Sequence, residues 1–205
     1  MRGFDSLAFL LLVMDSAIFE AAAPHFTPRA IVVMGVSGCG KSSVGEACAA
    51  ALGWTLHEGD AYHSAESIAK MRSGVALTDE DRAGWLDRLA QLLVPAAQGA
   101  GVVLTCSALR RKYRDRLRQS LPELGFAFLQ LDYEDALARV QSRPGHFFSP
   151  ALVANQFATL ESPKGEAGVL TLDATAPLAA VADAVVQWAQ SAQRANAAAP
   201  SGDPT

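Results

Sequence analysis

A chain of 205 residues that is 50% hydrophobic and 19% charged is long enough to bury a core, which excludes a disordered or fibrous class. Its net charge of −4 argues against nucleic acid as the main partner, since a phosphate backbone requires a positive field. Cys39, Cys48 and Cys106 have neither metal-ligand spacing nor a CxxC pair, which fits a reducing, cytoplasmic setting.

The first element read along the chain is the apolar run Leu7 to Met14, behind Arg2 and ahead of Ala21-Ala22-Ala23. A signal peptide has that outline, but the run is too short to span a bilayer and sits among Asp5, Asp15 and Glu20. Residues 1–28 are therefore expected to be a dispensable extension, with no membrane partner, and export is the competing expectation. Ala30 to Met34 is apolar and rich in β-branched residues and predicts a buried strand. Lys41 to Leu52 predicts a helix, Trp54 to His57 a strand, and Ser64 to Arg72 and Asp79 to Gln98 two further helices. Strands are expected at Val102 to Thr105, Phe126 to Leu131 and Val169 to Leu172. Helices are expected at Leu109 to Ser120, Tyr133 to Ser142, Pro150 to Leu160 and Leu178 to Gln190, with a loop from Arg143 to Ser149. Alternation of strands with helices predicts an α/β fold with a parallel sheet. The domain is expected to occupy 29–190, and the small, polar residues 191–205 to form a disordered tail.

Between the first strand and first helix stands Gly35-Val36-Ser37-Gly38-Cys39-Gly40-Lys41-Ser42, which fits G-x-x-x-x-G-K-[ST]. Such glycines let successive N–H groups face phosphate oxygens, and the next helix adds its positive end. Lys41 is expected on the β- and γ-phosphates of ATP, the Ser42 hydroxyl on Mg²⁺, and Ser43 beside them. The chemistry predicted is transfer of the γ-phosphoryl group to a hydroxyl of a small molecule.

Glu58 and Asp60 follow the second strand, at the sheet edge where ligands of such folds sit. A carboxylate there can take a hydroxyl proton or hold Mg²⁺-bound water. Arg139 and Arg143 are four apart and can share a helix face, and Arg143 opens a loop containing His146 that could close over phosphates. Alone, His63 and His146 read first as packing residues. The basic run Arg110 to Arg118 is either an anion surface or, by preference, a solvated helix face. Cys39, just ahead of a helix start, is either a reactive thiol that ATP would protect or a small residue that fits the loop.

The segments MGVSGCGKS (34–42), EGDAYH (58–63), KMRSGVALTDEDRAGWL (70–86), CSALRRKYRDRLR (106–118) and RPGHFFSPALVANQFATLESP (143–163) together resemble the small P-loop gluconokinases. The resemblance implies the nucleoside-monophosphate-kinase type of P-loop fold, a five-stranded parallel sheet in order 2-3-1-4-5 with a short lid. It implies phosphorylation of gluconate by ATP with Mg²⁺, with shikimate or another small anion as the competing acceptor. It places Asp60 at the acceptor hydroxyl as a catalytic residue with Lys41 and Arg143, and Glu58 near the metal, through water. It puts His63, Lys70, Arg82 and His146 on the substrate side and Arg139 and Arg143 near the nucleotide. A homodimer is compatible with it. Ser64, Ser67 and Ala76 depart from the usual Pro, Asn and Pro of the family and bear on substrate fit.

Overall fold

The computed structural model describes residues 26–142 and 151–197. Five strands form one parallel sheet: β1 (Ala30–Met34), β2 (Thr55–Glu58), β3 (Val102–Cys106), β4 (Leu124–Gln130) and β5 (Val169–Asp173). Their order is β2-β3-β1-β4-β5, as expected. The connections run through helices α1 (Lys41–Leu52), α2 (Ala65–Arg72), α3 (Asp79–Ala97), α4 (Arg111–Arg118), α5 (Tyr133–Gln141) and α6 (Ala151–Thr159), and α7 (Leu178–Ala197) ends the fold.

The strand sequences explain the layering. Parallel strands covered on both faces need apolar residues at every position, and β1 and β3 are buried throughout. Because side chains alternate, Ile31, Val33, Val103, Leu129 and Leu170 pack on one face with α1 and α7. Ala30, Val32, Met34, Leu104, Phe126 and Phe128 pack on the other with α3 and α4.

Several boundaries differ from the sequence reading. β2 ends on Glu58 and not His57, because Glu58 pairs with Thr105 in the parallel register. β4 starts at Leu124, opposite Ala30; Gly125 has no side chain with which to continue the apolar pattern. The helix expected from Leu109 is shorter, Arg111–Arg118. The last helix continues past Gln190 to Ala197, into the expected tail. Packing starts at Phe26, within the expected extension: its ring stacks on Trp188 with centroids 6.2 Å apart. The apolar run at Leu7, the loop at Arg143 to Ser149, Pro150 and residues 198–205 lie outside the described residues. Among the described residues no helix is long and apolar enough to cross a membrane.

Candidate active site

The carboxyl ends of β1, β2 and β3 open into a cleft lined by Ser37, Asp60 and Ser107, which follow those strands. Its phosphate-loop wall is built by local conformation. Gly38 and Gly40 have φ of 85° and 95°, left-handed values that side chains resist, so the loop can wrap before α1 begins. Lys41 folds back over the loop, and its ammonium donates to the carbonyls of Gly35 (3.2 Å) and Val36 (3.0 Å). Cys39 points beneath the loop and is 2% exposed. Burial pushes its thiol pKa up, against the lowering influence of Lys41. The reactive-thiol expectation is thereby corrected: desolvation outweighs the cationic surroundings, and the residue acts as a small packing group.

The second wall comes from the turn after β2. Gly59 lies so close to β3 that an added Cβ would stand 2.2 Å from the Thr105 carbonyl oxygen, so only glycine lets the chain leave the sheet here. The buried Thr105 hydroxyl accepts from Gly59 N–H at 3.3 Å and donates to Glu58 Oε2 at 2.6 Å. Ser42 donates to the same oxygen at 3.1 Å. Glu58 Oε1 is buried without a partner among the described residues. Two hydroxyls thus fix the carboxylate and leave one oxygen for something else. Asp60 and His63 follow and both line the cleft.

The third wall is the start of α3. Thr78 and Asp81 form a reciprocal capping box, with bonds of 3.2 and 2.9 Å. From that fixed start Arg82 and Trp85, three apart, both reach the cleft. Arg82 donates to the carbonyls of Leu77 and Thr78. Trp85 donates to the Gly59 carbonyl at 2.8 Å, and the His63 ring stacks on it at 4.3 Å between centroids. Burial lowers the His63 pKa, with Arg82 and Arg88 acting in the same sense and Asp60 opposing. The ring is therefore neutral at pH 7, and its buried Nδ1 has no partner among the described residues. Ser107, Leu152, Asn155 and Gln156 close the cleft from β3 and α6.

Of the residues singled out from sequence, Ser37, Lys41, Asp60, His63 and Arg82 meet in this cleft. Lys70 does not. Its ammonium pairs with Asp81 at 2.6 Å, so its charge holds the α3 cap to α2. Arg139 lies on the other side of the loop, where it donates to the carbonyls of Gly38 (3.4 Å) and Ala174 (3.1 Å). Arg143 and His146 lie outside the described residues. Of the departures from the resembling family, Ser64 caps α2 by accepting from Ser67 N–H, and Ala76 forms part of the cleft wall.

Two features escaped the sequence reading. Gln156 of α6 accepts from Ser37 N–H at 2.6 Å, although the residues are 119 apart. The QF pair was visible in the sequence, but nothing local connects it to the phosphate loop. Arg114, inside the basic run, is fully buried. It pairs with Glu166 and donates to the carbonyls of Ala108 (2.9 Å) and Leu109 (3.2 Å). Ala108 has φ of 45°, a strained value for a residue with a side chain, and it directly follows Ser107 in the cleft wall. The other cations of the run meet Asp79, Asp87, Asp115 and Glu166. Arg111, Lys112 and Arg116 are exposed, as a solvated helix face implies, whereas Arg114 is turned inward and braces the scaffold.

Residues 31–162 match the AAA domain family. The chain is 43% identical over 144 residues to a gluconokinase of Gluconobacter oxydans, covering 70% of this chain and 81% of that one. It is 42% identical over 140 residues to the thermosensitive gluconokinase of Escherichia coli, covering 67% and 74%. The crystal structure of a gluconokinase from Sinorhizobium meliloti superposes with a TM-score of 0.74 at 43% identity, over 85% of this chain and 99% of that one. The likeness spans the phosphate loop, both other cleft walls and the sheet that carries them, and on it the chain belongs to the gluconokinase family of P-loop kinases.

Proposed function

We propose that this protein transfers the γ-phosphoryl group of ATP to a hydroxyl of D-gluconate, giving 6-phospho-D-gluconate and ADP. The observation that carries this reading is the meeting of Lys41, Asp60, His63 and Arg82 in one cleft beside the phosphate loop, in a chain related to gluconokinases over most of its length. In phosphoryl transfer the protein mainly positions groups and stabilises charge. Lys41 exchanges its carbonyl partners for the β- and γ-phosphate oxygens and neutralises charge as it develops. Asp60 accepts the proton of the attacking hydroxyl. Arg82, whose described partners are carbonyls only, faces the carboxylate of the sugar acid. Neutral His63 accepts from or donates to a chain hydroxyl through its unpartnered Nδ1, according to tautomer. Arg139 and Arg143 act on the nucleotide side, and His146 on the acceptor.

Ser42 and Glu58 fit Mg²⁺: both donors are oxygen, and the buried free Oε1 of Glu58 suits a metal-bound water. When bound, the metal supplies positive charge to the phosphate oxygens. ATP dependence and three free cysteines favour the cytoplasm.

The test is ADP release measured with gluconate, sorbitol, glucose and shikimate as acceptors. Gluconate should be turned over with a kcat/KM far above the others. Sorbitol lacks the carboxylate, glucose is mostly a closed ring, and shikimate has a rigid ring with fewer hydroxyls. Sorbitol used as well as gluconate would refute an anionic acceptor, and efficient shikimate turnover would replace gluconate with that alternative.

A further inference from the structure

The contact between Gln156 and the phosphate loop has a direction. A main-chain N–H can only donate, so the atom of Gln156 that faces Ser37 is its amide oxygen, and the amide NH₂ faces away from the loop. Leu152, Asn155 and Gln156 fall at helical spacing on one face of α6, and all three line the cleft with Asp60, His63 and Arg82. The helix is fixed from beneath. Leu152 and Val153 are buried, and Phe157 stands edge-on to Tyr133 with centroids 5.4 Å apart. The cleft that Gln156 lines is on the acceptor side, because Arg139 and Ala174 meet Gly38 on the opposite side of the loop.

We propose that Gln156 is a specificity-determining residue of the acceptor site: its oxygen holds the phosphate loop at Ser37 while its NH₂ donates to an oxygen of the polyhydroxy-acid acceptor. The inference rests on the sugar-acid reading above. An extended sugar acid brings many oxygens into a cleft whose lining also includes Lys41, His63, Arg82, Ser107 and Asn155, and each acceptor oxygen left dry without a donor weakens binding. A neutral amide supplies such a donor without adding a second cation to the one that meets the carboxylate. Since one side chain touches both the loop and the acceptor, a filled cleft also fixes the loop in the geometry needed for transfer.

Gln156→Glu separates the two contacts. Glutamate keeps an oxygen for Ser37 N–H but replaces NH₂ by a charged oxygen beside an anionic acceptor. The KM for gluconate should rise about tenfold or more, from a lost hydrogen bond and a like charge, while the KM for ATP stays within about twofold. Titrating gluconate against tryptophan fluorescence without nucleotide, with Trp85 in the cleft wall as reporter, should show the same loss of affinity. Gln156→Met lacks both contacts and should weaken gluconate and ATP together; unchanged values for both would overturn the brace on the loop. A folded Glu variant with wild-type affinity for gluconate overturns the inference, as does one in which only the ATP KM rises, which would put the NH₂ on nucleotide phosphates. A wild-type enzyme inert towards gluconate would overturn the sugar-acid reading and this inference with it. An active wild type with an unaffected Glu variant would overturn this inference alone.

Discussion

Two groups of cations in this molecule meet opposite fates. At the cleft, Lys41 and Arg82 bond only to main-chain carbonyls among the described residues. Along α4 every cation from Arg110 to Arg118 meets a carboxylate. A carbonyl gives a cation a partner but no opposite charge, so the cleft keeps a net attraction for an anion from solution. On α4 the attraction is already satisfied within the chain. Density of positive charge in the sequence therefore pointed away from the site, where Lys41 and Arg82 meet without a carboxylate partner among the described residues.

The strongest way to break that comparison is Lys41→Ala. If its charge serves the transferring phosphoryl group, kcat should fall by about 10³-fold while the thermal midpoint stays near the wild-type value. A variant with near-normal kcat would remove Lys41 from the reaction. Arg114→Met addresses the other group. Losing one partner of a buried pair should destabilise the fold by about 3–5 kcal/mol in denaturant unfolding, towards the lower end because Arg118 still reaches Glu166 at 3.0 Å. Adding Glu166→Leu should restore part of that loss, since the carboxylate left with Arg118 alone is then gone and Arg118 keeps Asp115. No recovery in the double variant would mean that the guanidinium matters chiefly as the clamp on the strained Ala108 turn.

Arg82→Met sharpens the cleft side. Losing a charge-assisted contact to the acceptor carboxylate should cut kcat/KM for gluconate by about ten- to a hundredfold, with the KM for ATP within about twofold. An equal fall for both substrates would assign Arg82 to phosphate. The smallest effect is expected from Asp79, which binds Arg110, Lys112 and Tyr113. Hydrogen bonds from Lys112 and Tyr113 hold its pKa at about 2, below its ordinary 3.8. A folded-state pKa below the unfolded value contributes stability above the unfolded value, and that contribution is lost as pH falls through the folded one. The wild-type thermal midpoint should therefore drop more steeply than that of Asp79→Asn between 3.8 and about 2. Parallel curves would show that the contact does not contribute to stability.

The sequence was most informative where chemistry depends on consecutive residues. The phosphate loop is one such stretch, because its N–H groups, glycines, Lys41 and Ser42 act through local backbone conformation. The alternation of strands and helices is another, because burial on both faces of a parallel sheet leaves continuous apolar runs. Glu58 and Asp60 could be picked out because they follow a strand at the ligand edge, whereas Arg82 was picked out by the resemblance of its segment to the small P-loop gluconokinases.

Tertiary structure decided the rest, because a charged or amide side chain takes its role from whatever reaches it across the fold. Lys70 resembles Arg82 in charge and stands in the same segment, yet it pairs with Asp81 and leaves the cleft to its neighbour. Cys39 sits in the loop that binds phosphate, yet its thiol turns inward and burial overrides the nearby cations. Arg114 is hidden in a run that reads as solvated, and its partner Glu166 lies 52 residues away. Gln156 reaches Ser37 from a distance of 119 residues. By itself the sequence determined the phosphate loop and the α/β alternation, since both follow from the conformations and burial of neighbouring residues. Which cations remain open to an anion was settled only by packing, since desolvation and pairing depend on distances that sequence separation does not encode.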